Sequence, residues 1–304
     1  MLVRDALPLR LASAGHDLWR AGDAPTLAAL CDGRGDAESN AVRLRGVLAS
    51  HDVELLPWPA GPPHTNEVGR SVQLMTGLLA IAARHGPRIE LLEIGSSAGL
   101  NLMLDRFHID LAGVVTGPPD SPLTLTREWR GPPPPAVPIN LLTTRGVDLA
   151  PVATTTALGA QRLLASVWPD HQARFLRLAT ALRVLCAAPP RVDIADAMAG
   201  LAVRLAEPQA VGVPRVLMSS IVWQYLDEAP QQQIAAAMAA AGALASVERS
   251  LGWVRVDANR SVHKHEITRR SWPHYGPSVL LGRAHPHGFW VERLAEPVSG
   301  YELP

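Results

Sequence analysis

The segment Ile89–Asn101, IELLEIGSSAGLN, constrains the fold of this chain more than any other. A short apolar run reaches a glycine turn, and a helical pattern follows through Leu104. That is a strand, a tight loop and a helix. Two incompatible motifs fit the turn. Read as G-x-S-x-G it is a nucleophile elbow, with Ser97 presented for attack. Read as E-x-G-x-x-x-G it is a loop whose Gly95 and Gly99 let a nucleotide approach the backbone at a helix N-terminus.

The remaining chain sets the context. Residues 1–88 read as a helical N-terminal cap, with Val72–Ala83 a strong apolar helix stopped by Gly86-Pro87. From residue 89 the pattern alternates strand and helix to the C-terminus. Strands are predicted at Ile139–Asp148, Arg191–Ala195, Arg215–Ser220 and Trp253–Asp257, and a closing hairpin at Ser278–Ala284 with Phe289–Leu294. Gly159–Cys186 reads as helical with a break at Trp168-Pro169. Phe107–Leu111 and Leu123–Trp129 alternate polar and apolar residues, so they read as an antiparallel hairpin inserted at about residues 106–135. The expected fold is α/β, with a mostly parallel seven-stranded sheet over residues 89–304 and an antiparallel C-terminal hairpin.

This context weakens the elbow. A hydrolase elbow normally follows several earlier strands, and residues 1–88 offer none; no Gly-rich oxyanion segment precedes Ser97 either. The order Ser97, Asp196, then His285 or His287 suits a triad, but a chain with 11 histidines supplies such an order easily. The nucleotide reading gains from the acids at successive strand ends. Glu93 can accept from a cationic amine or a hydroxyl. Asp148 can hold both ribose hydroxyls, and Asp196 can accept from an adenine amino group while the Ala197 N–H donates to the ring. Asp110 stands nearer the spacing of a dinucleotide acid but in a half-exposed stretch, so Asp148 is preferred. Each acid alone reads equally as a helix cap or a solvated strand end.

Charge and composition exclude several classes. The 28 basic and 28 acidic residues cancel, so no global field draws nucleic acid or anionic lipid. Lys264 is the only lysine, which leaves no G-x-x-x-x-G-K-[ST] phosphate loop. Cys31 and Cys186 lack disulfide or metal spacing. No apolar run suits a signal peptide or a membrane span, and a cytoplasmic location is expected.

Several stretches together resemble the bacterial DUF2332 family: His64–Ser71 (HTNEVGRS), Leu91–Phe107, RGVDLAP at Arg145–Pro151, Ser166–Leu178, the Asp196 strand end and AHPHGFWVERL near the C-terminus. His64 departs from the glutamine expected there. The resemblance implies a Rossmann-like fold of the class I S-adenosylmethionine-dependent methyltransferase type. By that analogy S-adenosyl-L-methionine lies against Glu93, Gly95, Ser97, Gly99, Asn101, Asp148, Asp196 and Ala197, and a methyl group passes to a small-molecule acceptor. A non-catalytic nucleoside-binding scaffold of the same fold is the main alternative; a serine hydrolase using Ser97 is the other.

Substrate contacts are expected from two further stretches. HTNEVGRS precedes the helix leading into the first strand, so Asn66, Glu67 and Arg70 can form a lid, although Glu67 and Arg70 also read as a helix-surface pair. SSIVWQYL leaves the fourth strand with Ser219, Trp223 and Tyr225, aromatics that can stack on a planar substrate or simply pack. His263/His265 and His285/His287 are paired on strand faces, but neither pair has a third ligand fixed by sequence, so no metal is assigned. His287 is the candidate general base, beside Glu67 and Tyr225.

Overall fold

The computed structural model describes residues 7–60, 66–273 and 277–301. The chain divides into two compact units, one formed by Met1–Asn66 with Val152–Ala187, the other by Glu67–Pro151 with Ala188–Pro304.

The first unit is helical. It contains α1 (Leu7–Ala21), α2 (Ala28–Cys31), α3 (Ala37–Ser50), α4 (Asp52–Leu55) and α5 (Pro57–Ala60). From the second stretch come α7 (Ala157–Ala165) and α8 (Gln172–Ala187), separated at Trp168-Pro169 as predicted. Ala14, Leu18, Leu27, Cys31, Val47 and Leu55 form its core. The imidazole of the buried His16 bonds the Ala165 carbonyl at 3.0 Å, and Gln161 donates to Asp17 at 2.8 Å, fastening α7 to α1.

The second unit holds α6 (Ser71–His85), α9 (Ala197–Ala206), α10 (Glu228–Ala243) and the strands. The division therefore departs from a boundary at residue 88 in two ways. The helix α6 packs with the sheet, and residues 152–187, expected as a sheet crossover, pack with the N-terminal helices.

The strands are β1 (Arg88–Ile94), β2 (His108–Leu111), β3 (Val114–Thr116), β4 (Thr124–Thr126), β5 (Glu128–Arg130), β6 (Asn140–Asp148), β7 (Arg191–Ile194), β8 (Arg215–Ser220), β9 (Leu251–Asn259), β10 (Lys264–Trp272), β11 (Val279–Ala284) and β12 (Trp290–Ser299). Nine form one sheet in the order β5-β12-β11-β10-β9-β8-β1-β6-β7. Strands β7, β6, β1, β8 and β9 are mutually parallel, and β9 to β12 continue as an antiparallel meander. The large, mostly parallel sheet is as expected; the number of strands is not.

Two differences have local causes. Strand β10, KHEITRRSW, looks solvated in sequence, yet His265, Glu266, Ile267 and Thr268 are buried between β9 and β11. The expected hairpin between residues 107–111 and 123–129 does not form. Instead β2 turns through Ala112 (φ 57°) and Gly113 (φ 88°) and pairs antiparallel with β3, while β4 lies parallel to β2. Two consecutive positive φ angles make the tight turn that suits a two-residue hairpin. The end of the second stretch, β5, joins the edge of the large sheet beside β12.

Strand β1 is the middle one of the five parallel strands and is covered on both faces. On one face Leu92 and Ile94 join Val147, Leu217, Trp253 and Trp272 beneath α9 and α10. On the other lies α6, buried along nearly its whole length. Among the described residues no helix is long and apolar enough to cross a membrane.

Gly77 marks how closely α6 approaches the sheet, since a Cβ there would stand 2.4 Å from Val254 Cγ1. Gly77→Ala is expected to lower unfolding free energy by about 1–3 kcal/mol despite alanine's better helix propensity. Urea denaturation of the full chain measures it; an unchanged or higher midpoint would contradict this packing.

Candidate functional site

The carboxyl ends of the parallel strands gather the residues singled out above. At the tip of β1 the chain bends through Gly95 (φ 67°), Ser97 (φ 53°) and Gly99 (φ 76°), then enters a 3₁₀ helix, Leu100–Arg106, in place of the expected α-helix. Ser96 ties the bend down: its hydroxyl donates to the Glu93 carbonyl at 2.8 Å and accepts from the Val147 N–H at 2.9 Å. The neighbouring Ser97 N–H donates to Asp148 Oδ2 at 2.8 Å. The tips of β1 and β6 are thus stitched by side chains as well as by the ladder.

The two glycines are needed for a different reason from the one expected. A Cβ on Gly95 would stand 2.4 Å from Val222 Cγ2, and one on Gly99 would stand 2.7 Å from Pro190 Cγ. At both, a Cβ would close on protein, and both hold positive φ, which glycine adopts without strain.

Glu93 is the unusual group. Its side chain is buried at 1 % exposure, and Oε2 is sealed from solvent without a hydrogen-bond partner. Asn101, also buried, accepts from the Ser71 hydroxyl at 3.0 Å, which leaves its NH₂ to donate to Glu93. Burial pushes the Glu93 carboxyl well above the usual carboxylate range, and the nearby Asp148 charge adds to this; the Asn101 bond and the Arg70 charge oppose it only in part. Glu90 on the same strand shows the alternative treatment of a buried acid. It faces the other way and is held by Arg204 at 3.2 Å and Arg215 at 3.0 Å.

The other acids are less available. Asp148 Oδ1 accepts from the Ala150 N–H at 2.9 Å, so both of its oxygens already hold a backbone donor. Asp196 is exposed and caps α9, accepting from Met198 N–H at 2.8 Å and Ala199 N–H at 3.3 Å. It still neighbours Asp148, because the Ala195 N–H bonds the Asp148 carbonyl at 3.1 Å. The strand ends therefore bring Glu93, Asp148, Asp196 and Ala197 onto three adjacent tips.

The segment expected as a lid is built in. His64 and Thr65 lie outside the described residues; Asn66 is half-buried, while Glu67 and Arg70 are buried. Glu67 caps the turn Val68–Arg70 through the Gly69 N–H at 2.9 Å. Against this turn sits the loop joining β11 to β12. Gln73 donates to the His285 carbonyl at 2.9 Å, and a Cβ on Gly288 would meet the Gly69 oxygen at 2.5 Å.

The histidine pairs resolve differently from the sequence pattern. His263 is exposed in the β9–β10 turn with φ 51°, so it does not share a strand face with His265. His265 is buried instead and lies near Arg70, His285 and His287. Burial, with those neighbouring positive groups, pushes its imidazole down to about 3. Its Nδ1 is buried without a hydrogen-bond partner. His285 and His287 pack ring to ring at 5.7 Å, and His285 lies 4.6 Å from Phe289. Among the described residues no three His, Cys, Asp or Glu side chains are placed to hold a metal ion.

A nucleophile elbow needs a base within hydrogen-bond reach. Ser97 has the left-handed backbone of such a turn, but its Oγ is buried with no hydrogen-bond partner. After β8, Ser219 is buried and its Oγ also lacks a partner; Trp223 is partly buried, and Tyr225 is 46 % exposed. Asn101, Arg70 and Ser219 carried a sequence signal. Ser71, Ser96 and His265 lie in stretches singled out above, but their roles did not show, because Ser71 meets Asn101, Ser96 meets Val147 and His265 neighbours Arg70 only in the fold.

The class defined by this architecture is an α/β protein with a buried acidic centre at the carboxyl edge of its sheet. A family described as "Uncharacterized protein conserved in bacteria (DUF2332)" matches residues 3–293, and the chain belongs to it. No curated protein and no solved structure matches.

The two buried titratable groups pull stability in opposite directions with pH. The folded Glu93 carboxyl titrates well above its unfolded value, so stability falls as pH rises from about 4.3, where the unfolded chain ionises, up through the folded titration. Glu93→Gln is therefore expected to raise Tm at neutral pH and to lose that advantage near about pH 4. The folded His265 titrates below its unfolded value, so stability is lost as pH falls from 6.5 towards about 3. His265→Gln is expected to flatten that acid limb. Thermal melts across pH read both, and parallel profiles for wild type and variants would refute the assigned burial.

Proposed function

We propose that this chain is an S-adenosylmethionine-dependent methyltransferase with a Rossmann-like, class I methyltransferase fold, acting on a small-molecule acceptor. Numbered among themselves, the five parallel strands run 3-2-1-4-5, the order of a doubly wound nucleotide-binding sheet up to its fifth strand. The switch point lies between β1 and β8, where such sheets bind ligands beyond the strand ends. Glu93, the glycine turn and Ser219 all stand there.

One observation carries the reading: the buried Glu93 oxygen without a partner. Leaving a buried acceptor unmade costs about 1–3 kcal/mol, so the group invites an explanation. The ammonium of the cofactor's methionyl end supplies both a donor and a positive charge. Asp148, with two oxygens that can each accept once more, remains suited to ribose hydroxyls, and Asp196 with Ala197 to the adenine edge. The cofactor supplies an electrophilic methyl group. The protein's part is to hold donor and acceptor in line and exclude water, which needs no strong acid–base signature. Arg70 lies near Glu93, and Ser71 bonds its partner Asn101, so the Glu67–Ser71 segment is the one that would move as the cofactor enters. His287 and Glu67 remain the candidate proton acceptors for the acceptor group.

Calorimetric titration of the full chain with S-adenosylmethionine and S-adenosylhomocysteine tests this directly. Both should bind, and Glu93→Gln should weaken them by about 10–100-fold, the worth of a hydrogen bond to a charged group. Affinity should rise with pH through the elevated titration of Glu93, with proton release, because only the carboxylate pairs with an ammonium. Absence of binding by either nucleoside would end the proposal.

A further inference from the structure

The opposite face of the same strand tips carries a second group of polar side chains. Trp253, Arg255 and Asp257 occupy alternate positions of β9 and so share a face; Ser219 on β8 stands in register with Arg255. Arg255 Nε donates to Asp257 Oδ2 at 2.8 Å. The guanidinium lies 4.1 Å from the Trp223 ring centroid and 5.3 Å from that of Trp253. The two indoles meet edge to face at 5.5 Å.

Four polar atoms here are sealed from solvent without a hydrogen-bond partner: Ser219 Oγ, Trp253 Nε1, Arg255 Nη2 and Asp257 Oδ1. Unpartnered buried atoms occur elsewhere among the described residues too, but four on one face of two adjacent strands can be met by a single partner. The backbone points the same way. Ile221, immediately after β8, has φ 63°, an outlier for a β-branched residue, and such strain gathers at functional sites. The following turn is held in place by Gln231, which donates to the carbonyls of Trp223 at 2.8 Å and Leu226 at 3.1 Å.

We propose that this shelf binds a planar group presenting a hydrogen-bond acceptor beside a donor, as a carboxamide or lactam does. Arg255 forms only half of a side-on pair with Asp257, leaving one N–H and one carboxylate oxygen unused. A ligand carbonyl meets the N–H, and a ligand N–H meets the oxygen. Trp253 Nε1 and Ser219 Oγ supply further polar contacts. The flat group lies beside the guanidinium, where the Trp223 ring now stacks, so Trp223 must swing to admit it. A carboxylate in the same place would face Asp257, and an amidinium would face Arg255. Val222, next to Trp223, packs on Gly95 and thereby links the shelf to the glycine turn. Its role as the site for the methyl acceptor rests on the methyl-transfer reading; binding of the planar group does not.

Three isosteric probes, benzamide, benzoate and benzamidine, are titrated into the full chain, with and without saturating S-adenosylhomocysteine. Ligand NMR reads binding, and tryptophan fluorescence reads movement of Trp223. Benzamide should bind about tenfold tighter than either charged isostere and change the emission. Arg255→Lys keeps the charge but loses the planar fork, and should weaken benzamide about tenfold in a chain that still melts cooperatively. No binding, equal binding of the three, or benzamide affinity indifferent to Arg255→Lys would each overturn the shelf. Benzamide selectivity in a chain that ignores S-adenosylhomocysteine would leave the shelf standing and remove its link to methyl transfer.

Discussion

The interaction on which this structure turns is the burial of Glu93 with its hydrogen-bonding capacity only partly met. A carboxyl group enclosed at the tip of the central strand opposes folding, and apolar packing on both faces of β1 must offset it. Glu90, three residues earlier, shows that the fold can compensate a buried acid when it is structural, by setting two arginines against it. Glu93 receives an asparagine, a more distant arginine and a second acid instead. A position treated so differently from its neighbour is better explained by what it does than by what it stabilises.

Much of the sheet was legible because its signals are local. The apolar runs of β1 and β8 are bounded by turns, and the break between α7 and α8 falls at a proline; neither depends on distant partners. Strand β10 was hidden for the opposite reason. Its charged letters suggest solvent, but Glu266 is buried by Asn259, Arg283 and Tyr301, residues that reach it only through the meander. Gly159–Cys186 was read correctly as helical yet placed with the sheet, since helical periodicity says nothing about which core a helix joins.

The candidate site was legible as a set of positions more than as a set of roles. EIGSSAGLN marks the turn correctly, but the glycines serve close packing against Val222 and Pro190, a demand that leaves the same letters as close approach to a ligand. Asp196 likewise satisfies two readings: a strand-end acid that precedes a helix is also an N-cap, and here it caps. Only the environment separates the cases. Desolvation distinguishes Glu93 from Asp196, and no pattern in one sequence records it.

Strain and unmet hydrogen bonds then become the more discriminating guides. The left-handed Ser97 and Ile221 stand at neighbouring strand tips, one on each side of the switch point, and the unpartnered atoms of Glu93, Ser219, Arg255 and Asp257 lie near them on opposite faces of the sheet. A fold selected only for stability would be expected to repair such costs, since each is within reach of a single substitution. Where β1 and β8 diverge, two such costs fall close together, with Val222 on Gly95 between the two faces. One face carries a buried acid, the other a half-made ion pair, and the proposed cation and planar group would each complete what its own face leaves unmet.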